Sequence, residues 1–305
     1  MTTGALVSFI VPTYNRSALV RRAVESVLAQ AGDFARPFEL IVFDDGSTDG
    51  TSAVLAEYAD HPAVVLLGDG QNHGLGHARN AAFARATGEW CALLDSDNAL
   101  LPGAARELER ALIDLPDDVG VLWGGCLDSN GVPTVTHGVT GRLSGSEVIR
   151  RRLSGEHFSV IRRELARDAG YPSLGTRHAC EPAFWATVGF ATDYFISPVL
   201  FQHYETGGED RFCALDSRLR RADDLARCYA HTAGIMRQHL PGRQWELMGK
   251  AAFYRCAAGD WMGGVRDGLR LIPGLHHAWR NSLILASCLA GPRASRWLLR
   301  RTSAA

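Results

Sequence analysis

No apolar stretch of this chain reaches the roughly 18–20 residues that a helix needs to cross a bilayer. The longest late candidate, Ser282 to Gly291, is too short and is flanked by Arg280 and Arg293. The first residues, Met1-Thr2-Thr3-Gly4-Ala5, lead straight into a strand pattern and lack the basic region and cleavage site of a secretory leader. Paired cysteines are missing as well. The seven present, Cys91, Cys126, Cys180, Cys213, Cys228, Cys256 and Cys288, are odd in number and widely scattered. With no metal-ligand spacing they read as buried, reduced thiols, the expectation for a cytoplasmic protein. Nor is there an excess of charge of either sign. A formal net charge of −1 over 305 residues gives no electrostatic footprint for a nucleic-acid partner. What remains, 46% hydrophobic and 21% charged side chains, is an ordinary globular composition. The length suits one large domain plus an appendage, or two smaller domains.

Through the first 125 residues, strand and helix patterns alternate. Leu6 to Val11 is apolar, rich in β-branched residues and ended by Pro12. From Ser17, the residues Val20, Ala23, Val24, Val27 and Leu28 recur at helical spacing and predict one buried face. Leu40 to Phe43 predicts a second strand, with Ser47 and Asp49 as caps of a helix over Thr51 to Tyr58. Val64 to Leu67, Trp90 to Leu94 and Val119 to Trp123 read as further strands. Gly76 to Ala86 and a stretch opened by Pro102 and running to Leu112 read as helices. Such units joined by short links imply an α/β fold with a mostly parallel sheet covered on both faces.

The middle of the chain is less regular. Asn130-Gly131 is a turn signal, with Val132 to Val139 as one arm of a hairpin. Phe158 to Ile161 and Tyr194 to Ile196 predict strands, and Arg163 to Ala169 and Pro182 to Val188 predict helices. From about Arg218 helical periodicity takes over, with breaks at Gly259-Asp260 and Pro273-Gly274. The expected division is therefore 1–125, 126–215 and a helical 216–305. The closing Trp297-Leu298-Leu299-Arg300-Arg301 is basic and amphipathic. It could lie on an anionic membrane surface or simply end a solvated helix.

Four motifs carry chemistry. Pro12-Thr13-Tyr14-Asn15-Arg16 ends the first strand with a flat aromatic and several polar groups, which suits a nucleobase and its ribose; an ordinary strand-to-helix turn has similar residues. Asp44-Asp45-Gly46-Ser47-Thr48-Asp49 follows the second strand. A carboxylate there can accept from a pyrimidine imide N–H. Helix capping would account for Ser47 and Asp49, but not for both Asp44 and Asp45. The Gly-rich run Asn72-His73-Gly74-Leu75-Gly76-His77-Ala78-Arg79 opens a helix, whose backbone N–H groups favour anions. Arg79 would reach a phosphate or orient the acidic clusters. The run is neither a dinucleotide fingerprint nor a P-loop. Finally, Asp95-Ser96-Asp97 follows the fourth strand with a spacing that suits a hard divalent cation; a charged turn would look the same in isolation. Carboxylates at the ends of buried strands are costly unless they meet a ligand or cation. In open α/β sheets that edge is where ligands bind.

These four motifs, in this order over residues 5–125, resemble the family 2 glycosyltransferases. The resemblance implies a GT-A fold, here with a C-terminal helical region, and inverting transfer of a sugar from a nucleoside-diphosphate donor with Mn²⁺ or Mg²⁺. It makes 1–125 the donor-binding half and 126–215 the acceptor half. It places Pro12, Thr13, Tyr14, Asn15, Arg16, Asp44 and Asp45 around base and ribose, with UDP as the default nucleotide. Asn72, Gly74, Arg79, Asp95 and Ser96 complete the donor site, and Asp95 and Asp97 hold the metal.

Inversion needs one general base. In the family this acid commonly lies in a Glu-Asp pair opening a helix after the Asp-x-Asp motif. Glu181, following Val160-Ile161-Arg162-Arg163-Glu164-Leu165 and Ala169-Gly170-Tyr171, stands in that order, although Pro182 replaces the Asp. Asp210, in the literal pair Glu209-Asp210, is the second candidate. Trp185 is either an acceptor-stacking ring or core. His203, His231 and His239 lie where related enzymes sometimes add a metal ligand, and none is singled out. The expected partners are a nucleotide-sugar donor and a glycan, lipid-linked or small-molecule acceptor, and the expected location is the cytoplasm, either free or peripheral at the inner face of the membrane. A sugar-nucleotide-binding protein of the same fold with a decayed acid site is the alternative.

Overall fold

A computed structural model describes residues 4–153, 155–207, 215–272 and 280–302 of the chain. It divides into two compact units, Met1–Tyr171 with Val188–Gly207, and Pro172–Thr187 with Gly208–Ala305.

In the first unit the chain runs β1 (Val7–Thr13), α1 (Ser17–Leu28), β2 (Phe38–Asp44), α2 (Thr51–Ala56), β3 (Val64–Leu67), α3 (Leu75–Arg85), β4 (Trp90–Leu93), β5 (Ala99–Leu100), α4 (Ala104–Ile113), β6 (Val119–Leu127), β7 (Gly141–Ser144), α5 (Gly145–Arg151), β8 (His157–Arg162) and α6 (Arg163–Ala169). After α7 (Glu181–Ala191), whose first residues belong to the second unit, β9 (Asp193–His203) completes the sheet. Every residue of β1 is buried, as its unbroken apolar run predicts for a strand covered on both faces. In α1 the buried side chains are Val20, Ala23, Val24 and Val27, the face read from their spacing. Phe9, Leu40, Trp90, Phe158, Val160 and Phe201 anchor the core.

The strand order is β3-β2-β1-β4-β8-β6-β9-β5, with β7 paired to β9. From β3 to β4 all pairs are parallel, so the carboxyl ends of β1, β2 and β4 share one edge. The α/β class read from the sequence holds, with one difference in topology. β8 enters antiparallel between β4 and β6, although it follows both along the chain.

The structure also corrects local expectations. Val132 to Val139 forms no hairpin arm; only the isolated bridge from Leu127 to Pro133 follows the turn, which Asp128 closes by accepting from the Asn130 and Val132 amides. The strand expected at Tyr194 to Ile196 extends to His203. A register shift between its Ile196 and Leu200 pairings accommodates Pro198, which a regular ladder would exclude. The sequence reading missed β5, β7 and α5. For α5 a signal was present: Ser144 and Glu147 form a capping box.

In the second unit α8 (Leu215–Arg220), α9 (Ala222–His239), α10 (Gln244–Ala258), α11 (Trp261–Leu269), α12 (Arg280–Leu289) and α13 (Pro292–Thr302) follow. α9, α11, α12 and α13 all pack against α10, and Phe253, Tyr254 and Ala257 of α10 join Ala222 and Ala226 in a core. The break at Gly259-Asp260 is as expected: Gly259 takes φ 108°, and Asp260 caps α11 by accepting from the Gly263 amide at 2.9 Å. Pro273-Gly274 lies outside the described residues. One cysteine expectation fails. Cys180 and Cys228 form a disulfide, 48 residues apart in sequence but with Cα atoms 5.4 Å apart. Cys91, Cys126, Cys256 and Cys288 are buried free thiols.

Candidate active site

The loops after β1 and β2 are stitched into one surface. Asn15, in the left-handed region at φ 51°, donates its amide to Ser47 Oγ at 2.9 Å, and its Oδ1 accepts from the Thr48 amide at 2.7 Å. The Arg16 amide donates to Thr51 Oγ1 and the Ser17 amide to Asp49 Oδ2. Ser47 therefore does not cap α2 as expected but ties the two loops, while Asp49 accepts from the Thr51 amide at 2.9 Å. Asp44 accepts from the Ser47 amide and the Ser52 hydroxyl. Tyr14 stands 44% exposed at the edge of this surface, and Thr13 is buried.

The Gly-rich loop carries an anion, and that anion belongs to the chain. Asp45, only 4% exposed, accepts from the His73 amide through Oδ1 and from the Gly74 amide through Oδ2, both at 2.8 Å. Gly74 at φ 95° then opens α3, and Gly46 must be glycine, because a Cβ there would lie 2.6 Å from the Gln71 carbonyl carbon. Two polar atoms near these loops, Thr13 Oγ1 at the end of β1 and Asn72 Oδ1, are buried without a hydrogen-bond partner among the described residues. Leaving such an atom unmet costs about 1–3 kcal/mol.

Arg79 on α3 is 4% exposed and turns inward. Its Nη2 donates to Asp95 Oδ1 at 2.7 Å and its Nη1 to the Tyr171 hydroxyl at 3.0 Å. Asn80 holds the backbone of Tyr171 with a pair of hydrogen bonds. Beside Asp95, burial and then the Asp95 charge push the Asp97 carboxyl above the usual carboxylate range, with Arg16 and Arg22 acting in the opposite direction. Ser96 is buried in the turn between the two acids, which the Asn98 amide closes onto the Asp95 carbonyl. Two crowded carboxylates offering only oxygen are a donor set that fits a hard divalent cation such as Mn²⁺ or Mg²⁺. Among the described residues no group of three or more His, Cys, Asp or Glu forms a metal cluster.

A second tier of contacts escaped the sequence reading. Arg22 of α1 donates to the Asp97 carbonyl and pairs with Glu205 at 3.1 Å. Glu205, whose amide donates to Asn98 Oδ1, also accepts from the Gly207 amide and Ser129; these, with Arg22, bring its carboxyl down to about 2. Arg22 and Glu205 are 183 residues apart, and no local pattern joins them. His203, paired with Ala99 in the sheet, lies on the same strand end.

In the second unit Glu181 is the exposed first residue of α7 and lines a cavity of about 350 Å³ with His178, Arg218, Arg221, Asp224 and Tyr229. The Cys180–Cys228 disulfide fixes the residue before Glu181 to α9. Burial, then the Arg221 charge, lowers the His178 imidazole to about 4. Trp185 is half-buried with its ring edge-on to Phe184. Asp210 lies outside the described residues. The structure thus gathers the residues around Tyr14, Asp44, Asp45, Arg79, Asp95 and Asp97 in one unit, and presents Glu181 in the other.

Three comparisons bear on this arrangement. The family model described as "Glycosyl transferase family 2" matches residues 8–169, more than half of the chain. Among curated proteins, the chain is 43% identical over 106 residues to the succinoglycan biosynthesis protein ExoO of Rhizobium meliloti, covering 34% of this chain and 29% of that protein. It is 31% identical over 166 residues to the GalNAc(5)-diNAcBac-PP-undecaprenol beta-1,3-glucosyltransferase of Campylobacter jejuni, covering 52% of each. The chain thus matches about half the length of these relatives or less. Among solved structures, residues 1–349 of S. aureus TarS in complex with UDP-GlcNAc superpose with a TM-score of 0.66 at 18% identity, covering 98% of this chain and 90% of that one. At that identity the likeness establishes the fold.

Proposed function

This chain belongs to glycosyl transferase family 2, and from that membership we propose that it is an inverting glycosyltransferase. It would take a sugar from a nucleoside-diphosphate donor, UDP in the first instance, and pass it to a hydroxyl of a glycan, lipid-linked or small-molecule acceptor. The observation that carries the reading is the buried Arg79 guanidinium directed at Asp95, next to Asp97, on the same sheet edge as Tyr14 and Asp44.

In this reading Tyr14 and the stitched loops around Asn15 and Asp44 hold the base and ribose, and Asp45 acts through the loop it clamps. Asp95 and Asp97 would hold Mn²⁺ or Mg²⁺, which when bound neutralises charge on the departing diphosphate. Arg79 keeps Asp95 in place and adds positive charge behind it. Glu181 takes the proton from the acceptor hydroxyl as its oxygen attacks the anomeric carbon and the bond to the diphosphate breaks. The lipid-linked acceptor class takes support from the C. jejuni relative, whose name gives an undecaprenol-linked substrate. Such a reaction would run on the cytoplasmic side.

The test is calorimetric titration with UDP, GDP, TDP and CDP, each with and without Mn²⁺. Metal-dependent binding of one nucleotide, abolished by Asp97→Ala, is the expected result. No binding of any of the four by folded protein would refute the donor site. Glu181→Ala should keep nucleotide binding and lose turnover by about 10²–10⁴-fold. A binding protein without activity, the reading that Pro182 keeps open, would have no turnover to lose.

A further inference from the structure

The segment from Trp261 onward departs from the rest of the chain in both charge and surface. It contains seven arginines and one acidic residue, Asp267, a net of +6; since the whole chain carries −1, the 260 residues before it carry −7. The same segment holds seven of the ten large apolar side chains that stand exposed among the described residues.

On α11, Met262 is 81% exposed, with Trp261 and Leu269 about half so. Arg266 and Arg270 stand among them, both well exposed. Their one acidic neighbour, Asp267, is shared: its Oδ2 pairs with Arg255 at 2.7 Å, while Arg266 and Arg270 approach Oδ1 at 3.7 and 3.4 Å. Arg255 also meets Asp260 at 3.7 Å, so two carboxylates stand against three guanidiniums and the balance is positive by one charge. α12 adjoins α11, because the Trp261 indole N–H donates to the Cys288 carbonyl at 2.8 Å and a Cβ on Gly268 would touch Leu285. Leu289, the residue after Cys288 on α12, is also exposed. α13 adds an exposed Trp297 beside Arg293 and Arg296.

Exposed apolar and aromatic side chains interleaved with arginine on surface helices are what an interfacial helix needs: the apolar groups enter the acyl boundary while the cations stay at the headgroups. A second copy of the chain is a poor occupant, since pairing this face with itself would oppose two positive surfaces. No helix among the described residues is long and apolar enough to span a membrane, so the contact would be a surface one. We propose that the outer faces of α11, α12 and α13 form a docking surface for an anionic phospholipid bilayer. The proposal stands on the charge and exposure of these helices and is independent of the transferase reading.

Co-sedimentation of the full chain with phosphatidylcholine vesicles, with and without phosphatidylglycerol, tests it. Binding is expected only to the anionic vesicles, weakening as salt rises. Replacing Arg266 or Arg270 by Gln should lower partitioning about fivefold each, the worth of one arginine near an anionic surface. Met262→Asp should also weaken binding without altering the thermal melt, because the side chain packs against little. No binding, equal binding to neutral vesicles, or indifference to all three substitutions would overturn the proposal. So would a concentration-dependent dimer that Met262→Asp dissociates, which would make a second copy the occupant.

Discussion

The Arg79 guanidinium bridges Asp95 and Tyr171, at 2.7 Å to the carboxylate and 3.0 Å to the phenol. Arg79 is buried on α3 while the Asp95 side chain is about half exposed, so the pair delivers a charge from the core to the open edge of the sheet. Truncating Arg79 to Ala removes the buried partner and frees Asp95 to rotate. We expect a loss of about 1.5 kcal/mol in urea denaturation, the lower end for hydrogen bonds to a charged group, because the Asp95 left behind is about half exposed and water can take over its charge. Nucleotide affinity should fall with it. Tyr171→Phe, which keeps the ring and the ion pair, should cost only about 1 kcal/mol.

Asp45 predicts a different signature. Both of its oxygens are engaged by backbone amides of His73 and Gly74. In Asp45→Asn one of those N–H groups faces an amide NH₂ and loses its acceptor. The expected cost is about 1–3 kcal/mol in the thermal or urea midpoint, with weakened nucleotide binding in calorimetry. A stability change without a binding change would limit Asp45 to a structural clamp.

Glu39 on β2 should contribute to acid sensitivity, as Glu205 does through its own lowered carboxyl. Burial works against its charge, but hydrogen bonds from Ser8, Thr87 and Gly88 outweigh it and hold the carboxyl below its ordinary 4.5. A folded-state value below the unfolded one means that stability is present above about pH 4.5 and is lost as the pH falls through the lower folded value. Thermal midpoints of the wild type should therefore decline on acidification below that point. Glu39→Gln should start lower and decline less steeply.

The Cys180–Cys228 disulfide should be visible by mass spectrometry. Alkylation of unfolded, unreduced protein should leave these two cysteines unmodified while Cys91, Cys126, Cys256 and Cys288 react. Its 48-residue separation corresponds to about 4 kcal/mol of chain-entropy stabilisation. A reductant should therefore lower the melting midpoint of wild type and leave Cys228→Ser unaffected.

Legibility from sequence was uneven for physical reasons. α1, β1, β2 and β4 were readable because each satisfies its own periodicity: four buried residues at helical spacing in α1, seven buried in a row in β1. β9 runs past the expected Tyr194 to Ile196 through Pro198, because its pairing with the neighbouring β6 shifts register there. The clamp that Asp45 makes on the Gly-rich loop was not legible, because nothing local says that amides 28 and 29 residues onward will meet it. Cys180 and Cys228 looked unpaired for the same reason.

The sequence by itself determined the helices and strands with strong periodicity, and the edge on which the acidic motifs sit. Local periodicity sets helices and strands, and a carboxylate directly following a buried strand must emerge at that strand's end. Only the tertiary structure decided which groups meet there: Arg79 on Asp95, Asp45 on the Gly-rich loop, Arg22 on Glu205, and β8 between β4 and β6. These contacts join residues from 16 to 183 positions apart. Hydrogen bonds and ion pairs depend on distance in space, which chain order leaves open until the sheet brings its strands together.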